Sequence, residues 1–262
     1  MELGLAGKVA LVAAASKGLG RAIAEALAAE GVSMAICARG ESALTEARDA
    51  IARSGAPVHA IAGDVSRLED VHRIAQSTLE RFGRIDVLVT NAGGPPAGVF
   101  ERHDWEAWQK AVELTLRSAV ELTRAALPGM RERRWGRVIH VNSIAAKQPV
   151  DGLMLSTSIR SAVTGFSRTL ANEVAAEGIT VNSILSGFMN TDRVVELNEA
   201  TAKREGVPVP EIERRVLGQI PAGRIGEPRE LAALAVFLAS ERAGYITGQS
   251  IAVDGGWIRG LM

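Results

Sequence analysis

Two glycines, Gly18 and Gly20, follow an apolar run at 9–12 and precede a stretch of helical period. Glycine at a strand-to-helix turn lets the backbone approach a pyrophosphate, and the N-terminus of the following helix adds amide donors and a favourable dipole. The same spacing also marks ordinary turns, so glycines alone leave both readings open. Other reactive side chains are sparse. The single cysteine, Cys37, sits in an apolar run and reads as a small hydrophobe, not a working thiol. His140 lies three residues before Ser143 on one apolar run, and strand alternation points the two to opposite faces, so His140 reads as packing. His103 reads as a loop histidine and Asp151 as a turn or helix-start residue; no metal site is expected. Trp105 and Trp108 read as packing near a helix start.

These residues need elements to position them. Strands are expected at 8–15, 33–38, 58–62, 85–90, 137–142, 180–185 and 250–253. Helices are expected at 21–30, 41–54, from the capping-box spacing of Ser66 and Glu69 to 82, at 104–134, 153–177 and 228–240. Strict alternation implies a parallel sheet covered on both faces, and near-continuous apolar strands agree. No linker divides the chain, so residues 1–262 read as a single domain. The stretch at about 188–223 breaks the rhythm and would lie over the carboxyl ends of the strands, as a lid on the substrate.

Bulk properties narrow the partners. The formal net charge is zero and no unbroken apolar stretch is long enough for a membrane helix, which argues against nucleic acid and membrane as partners. One cysteine permits no internal disulfide, consistent with a cytoplasmic setting.

The motifs also resemble a family. Ala13 to Gly20 is similar to the glycine fingerprint of the short-chain dehydrogenases/reductases, with Ala13 and Ala14 in place of its threonine and first glycine. Asn91-Ala92-Gly93 follows the fourth strand, Ser143 ends the fifth, and Gly187 and Thr191 follow the sixth. Tyr245 to Gly248 and Val253 to Gly256 resemble the family's C-terminal signature. The resemblance implies a Rossmann-type doubly wound α/β fold, and a homotetramer or dimer. Its cofactor residues would be Ser16, Lys17, Gly18, Leu19, Gly20, Arg39, Asp64, Val65, Asn91, Ala92, Gly93, Gly187 and Thr191. The second strand ends at Arg39 without the acidic residue that accepts from a ribose 2′-hydroxyl, and Lys17 supplies a second cation, so NADP(H) is expected over NAD(H). If position 14 needs a positive φ, its alanine costs roughly 1 kcal/mol.

The family's catalytic set is an Asn, a Ser and a Tyr followed four residues later by Lys. Carried over by position, Ser143 is kept, but Thr115 stands for Asn, Ser156 for Tyr and Arg160 for Lys. A serine hydroxyl is far less acidic than a phenol, and losing a positioned general acid costs about 10²–10⁴ in rate. The resemblance implies reduction of a small-molecule carbonyl, or oxidation of a hydroxyl, like that of 3-oxoacyl-carrier-protein reductases but by an altered proton route. The alternative is a catalytically silent NADP-binding protein.

Overall fold

Strands that are apolar on both faces have to be covered on both faces, and one parallel sheet meets that demand. The computed structural model describes residues 2–261. Its strands are β1 (Val9–Val12), β2 (Ser33–Ala38), β3 (Val58–Ala62), β4 (Val87–Thr90), β5 (Gly136–Ser143), β6 (Ile179–Ser186) and β7 (Ser250–Val253). They lie in the order β3-β2-β1-β4-β5-β6-β7, and each neighbouring pair is parallel. The strand order reverses between β1 and β4, the place where open sheets of this kind bind ligands.

Alternation along β1 shows how the two cores divide. Ala10 and Val12 pack with Ile23 and Leu27 of α1 (Gly18–Ala29), Leu44 of α2 (Glu41–Ala52) and Leu231 of α9 (Pro228–Ala239). Leu11 points the other way, onto Ile74 of α3 (Leu68–Phe82), Met130 of α5 (Ser118–Glu132) and Val174 of α6 (Met154–Val174). Each such fully buried aliphatic side chain contributes roughly 1.5–3 kcal/mol. The sandwich of helix, sheet and helix is therefore held from both sides, as a single Rossmann-type domain.

Two helical stretches, among others, differ from the sequence expectation. The Ser66–Glu69 capping box does not form: α3 begins at Leu68, and Asp64 and Asp70 take over the local donors. Asp64 Oδ1 accepts from the Ser66 amide at 2.9 Å, and Asp70 Oδ2 accepts from the Asp64 amide at 2.9 Å. The stretch expected as one helix over 104–134 is three pieces, α4 (Trp105–Ala111), a π-helical turn (Val112–Arg117) and α5. Asp104 caps it, its carboxylate accepting from the Ala107 amide at 2.9 Å. Trp105 is not packed: it is 72% exposed, so the expectation for that tryptophan fails. The stretch after β6 folds into two helices, α7 (Asp192–Glu205) and α8 (Val209–Gln219).

His140 is a core residue. It is 1% exposed, lies against Phe166 with ring centroids 5.6 Å apart, and its Nδ1 shares a 2.7 Å hydrogen bond with the Thr90 hydroxyl. Burial pushes its imidazole down from 6.5 to about 4. The unfolded chain then takes up a proton near pH 6.5 that the fold refuses until about pH 4. Stability is complete above that window and falls as the pH drops through it, by roughly 3 kcal/mol in all. Thermal unfolding followed between pH 7 and 4 should show a flatter acid limb in His140→Gln. An unchanged slope in that variant would assign acid sensitivity to other groups.

Candidate functional site

The loops that follow β1, β4, β5 and β6 meet at one edge of the sheet. After β1, the Ala13 amide donates to the Val89 carbonyl and the Ala15 amide to the Cys37 carbonyl, both at 3.0 Å, which ties the turn to its neighbours β4 and β2. Ala14 adopts φ +49, the left-handed conformation a glycine would take freely. The turn therefore keeps the glycine-like shape at position 14, at a strain of about 1 kcal/mol or more. A Cβ on Gly20 would collide with the Ala14 carbonyl oxygen, so that glycine is fixed by the close packing of α1 on the turn. Asn91 Nδ2 reaches the same carbonyl at 3.4 Å from the end of β4.

The charged residues expected near the cofactor are placed in pairs. Lys17 Nζ donates to Asp192 Oδ2 at 2.7 Å, bridging the glycine turn and the first residue of α7. That contact raises the lysine pKa and lowers the carboxyl pKa, by hydrogen bond and charge together. Arg39 is exposed, with Asp64 Oδ2 4.0 Å away. Asp64 holds the turn after β3 and Val65 is buried behind it. Thr191 lies over the turn, its Cγ2 3.6 Å from where a Gly18 Cβ would stand. Gly187 answers to packing, since its Cβ would lie 2.6 Å from Asp254 Cα at the end of β7.

The expected catalytic residues gather at the ends of β4 and β5. Ser143 closes β5, and its Oγ accepts from the Ala145 amide at 3.2 Å. Ser156 and Arg160 sit one turn apart on α6, and Thr115 in the π-helical turn; all three are buried. A small, partly open void of about 10 Å³, room for one water, is lined by Asn91, Ala92, Thr115, Asn142 and Arg160 among others. Both Thr115 and Arg160 line it, and Thr115 Oγ1 and Arg160 Nε are buried without a hydrogen-bond partner among the described residues. The void thus joins part of the expected cofactor set to part of the expected catalytic set, with Ser143 and Ser156 outside it. Burial, then the charge of Arg193, pushes the Arg160 guanidinium down from 12.5 to about 10.

Asn142 is the residue that sequence reading passed over. Its Nδ2 donates to the Arg160 carbonyl at 3.0 Å and to Thr164 Oγ1 at 3.1 Å, while Oδ1 accepts from the Ser143 amide at 3.0 Å. One side chain therefore pins α6 to β5 and sets Arg160 against Ser143. An amide in the run Val138 to Ser143 was the available signal, because a buried amide needs partners. Further out, Phe100, His103, Trp105 and Trp108 line an open recess of about 440 Å³. The Gly98 amide beside it donates to the Gly152 carbonyl at 2.6 Å, just before α6. Among the described residues no cluster of three or more potential metal ligands occurs, and no helix is long and apolar enough to cross a membrane.

The family model described as Enoyl-(Acyl carrier protein) reductase matches residues 13–258. The chain is 37% identical over 254 residues to a 3-oxoacyl-[acyl-carrier-protein] reductase of Vibrio cholerae, covering 97% of this chain and 98% of that one. It is 38% identical over 258 residues to a D-beta-hydroxybutyrate dehydrogenase of Cupriavidus necator, covering 97% and 99%. The crystal structure of L-sorbose reductase from Gluconobacter frateurii, complexed with NADPH and L-sorbose, is similar at a TM-score of 0.94 and 36% identity, covering both chains in full. Matches of this identity and reach, on a seven-stranded parallel sheet with these loops at its edge, place the chain in the short-chain dehydrogenase/reductase family of oxidoreductases.

Proposed function

We propose that the protein is an NADP(H)-dependent carbonyl reductase, acting like the 3-oxoacyl-carrier-protein reductases on a ketone but with an altered proton route. The observation that carries this reading is the void joining Asn91 and Ala92 to Thr115 and Arg160, beside Ser143. The cradle fits a dinucleotide. Ala14 holds the glycine conformation, Gly20 admits no side chain, and the N-terminus of α1 opens on the turn formed by Ser16, Lys17, Gly18 and Leu19. Asn91, Ala92, Gly93 and Thr191 would flank the nicotinamide half, with Asp64 and Val65 beside the adenine. Arg39 and Lys17 would hold the 2′-phosphate. Gly187 serves this reading only by letting β7 close in.

When bound, the cofactor supplies the hydride. The chain's own residues would orient the carbonyl and manage its charge. Ser143 donates a hydrogen bond to the carbonyl oxygen, and the fixed cation of Arg160 stabilises the negative charge that grows there. Arg160 stays charged at neutral pH and does not deliver the proton. The Ser156 hydroxyl would pass it from solvent water, while Thr115 would hold a separate water at the void. Tyr245 is fully exposed in the C-terminal motif, so the single tyrosine takes no part. The segment 188–223 closes over the substrate as a lid. The same reading keeps the chain a cytoplasmic homo-oligomer. Buried Cys37, whose thiol burial pushes up to about 12, stays inert in it.

Calorimetric titration tests the proposal. NADPH is expected to bind at least about tenfold tighter than NADH, roughly 1.4 kcal/mol, and Arg39→Ala should erase most of that preference. Equal binding of the two nucleotides would remove the NADP assignment. Tight NADPH binding without turnover across a panel of ketones would favour the silent, nucleotide-sensing alternative.

A further inference from the structure

Arg160 is a cation without a counter-ion. It is 9% exposed, and its head makes one hydrogen bond among the described residues, a long 3.5 Å contact from Nη1 to the Val141 carbonyl. Among the described residues no carboxylate lies within ion-pairing distance of it, Nε is buried without a partner, and the residue lines the void. A second guanidinium, that of Arg193, is near enough to repel its charge. Arg193 of α7 lies across Gly94, its Nη2 donating to the Pro95 carbonyl at 2.8 Å, and Glu196 at 3.6 Å offsets its charge only in part. A buried charge persists at a cost unless something of opposite sign meets it. Neutral ribose hydroxyls would fill donors there without cancelling charge.

We propose that Arg160 and Arg193 recognise a carboxylate carried by the carbonyl substrate, so that the protein selects oxo acids over neutral ketones. The inference rests on the carbonyl-reductase reading and names its substrate class. Position favours the substrate as source of the anion. The void touches the ends of β4 and β5, and the glycine turn that suits a diphosphate follows β1, two strands and roughly 10 Å from β5. Arg193 is carried by α7, next to Asp192 at the glycine turn, and reaches the Pro95 carbonyl in the loop after β4. A planar guanidinium fork matches a carboxylate in two parallel hydrogen bonds, a match that lysine at 160 would not provide.

The test uses 2-oxobutyrate, acetoacetate and levulinate, a ladder of carbonyl-to-carboxylate spacings, each against its methyl ester. Binding is read by calorimetry on the NADP⁺-loaded protein, where no turnover intervenes, and again without nucleotide. At least one acid should bind tenfold or more tighter than its ester. Arg160→Gln and Arg193→Gln should each cut that preference at least tenfold, Arg160→Lys should restore part of it, and in Arg193→Gln ester affinity should move less than threefold. Circular dichroism confirms the fold of each variant, and Arg193→Gln keeps the test decisive should Arg160→Gln misfold. Equal binding of acid and ester, or no binding of either, overturns the inference, as does a preference that both glutamine variants retain. If acid binding occurs only without nucleotide, and Arg193→Gln weakens NADP⁺ binding, the cofactor's own diphosphate is the anion and the proposal falls. Turnover separates the two readings. Esters reduced by NADPH without any preference for acids sink only this inference, whereas no reduction of acid or ester sinks the reductase reading as well.

Discussion

Restoring the phenol–amine pair, with Ser156→Tyr, Arg160→Lys and Thr115→Asn together, is expected to raise kcat for ketone reduction about 10²–10⁴-fold, roughly 3–5 kcal/mol of barrier. In the proposed reading the parent's Ser143 hydroxyl and Arg160 cation would stabilise an oxyanion and leave its protonation to water. A tyrosine one turn before a lysine on α6 would place a phenol, with a reference value near 10, where Ser156 now stands. Position 156 is buried, so the added ring has to extend into the cleft; a ring forced inward costs about 1–3 kcal/mol of stability. The measurement is NADPH oxidation with methyl acetoacetate, alongside the thermal midpoint of each variant. A well-folded triple variant that binds NADPH and turns over no faster than the parent would show that missing residues do not explain slow chemistry. Ser156→Tyr and Arg160→Lys together should yield more than the product of their single effects, because phenol and amine work as one unit.

Arg160→Met is expected to stabilise the ligand-free protein. Burial pushes the guanidinium down from 12.5 to about 10, so the folded chain resists a charge that the unfolded chain carries freely. The sign follows from the protons bound. For a cation with a lowered folded value the penalty is complete below about pH 10, and it fades only as the pH rises from there toward 12.5. At neutral pH the whole penalty applies, roughly 3 kcal/mol. Methionine keeps most of the apolar stem's packing and removes the charge. For a chain of this size each kcal/mol moves the midpoint by about 2–4 °C, so a rise of several degrees is expected. Saturating anionic ligand should narrow the gap between variant and parent. A lower midpoint in Arg160→Met would mean that the guanidinium is already well paired.

Much of the architecture could be read before any coordinates. The strands at 33–38, 58–62 and 250–253 fall where composition put them, because β-branched and small apolar residues bounded by polar turns leave little choice. The π-helical turn escaped, since periods near four and five residues cannot be separated over six positions. It is also where Thr115 sits, so the least legible stretch of the longest helical run carries a candidate residue. The capping box at Ser66 failed because Asp64, close in sequence, takes the Ser66 amide that Glu69 would have accepted from. Asn142 gave only a local hint; its three partners lie on its own strand and on α6. Which cations are paired was not legible at all: Lys17 meets Asp192 across 175 residues, and the isolation of Arg160 depends on what surrounds it.

The Lys17–Asp192 contact has a further consequence. Both side chains are more than two-thirds exposed, so solvent screens the contact and it holds only weakly. A phosphate settling at the glycine turn would compete with the carboxylate for the same ammonium. The exchange would cost the lysine little, since one counter-ion replaces another, yet it would release the first residue of α7. Nucleotide arriving at one wall of the cleft would then unlatch the opposite wall, and the strength of the latch should fade with added salt.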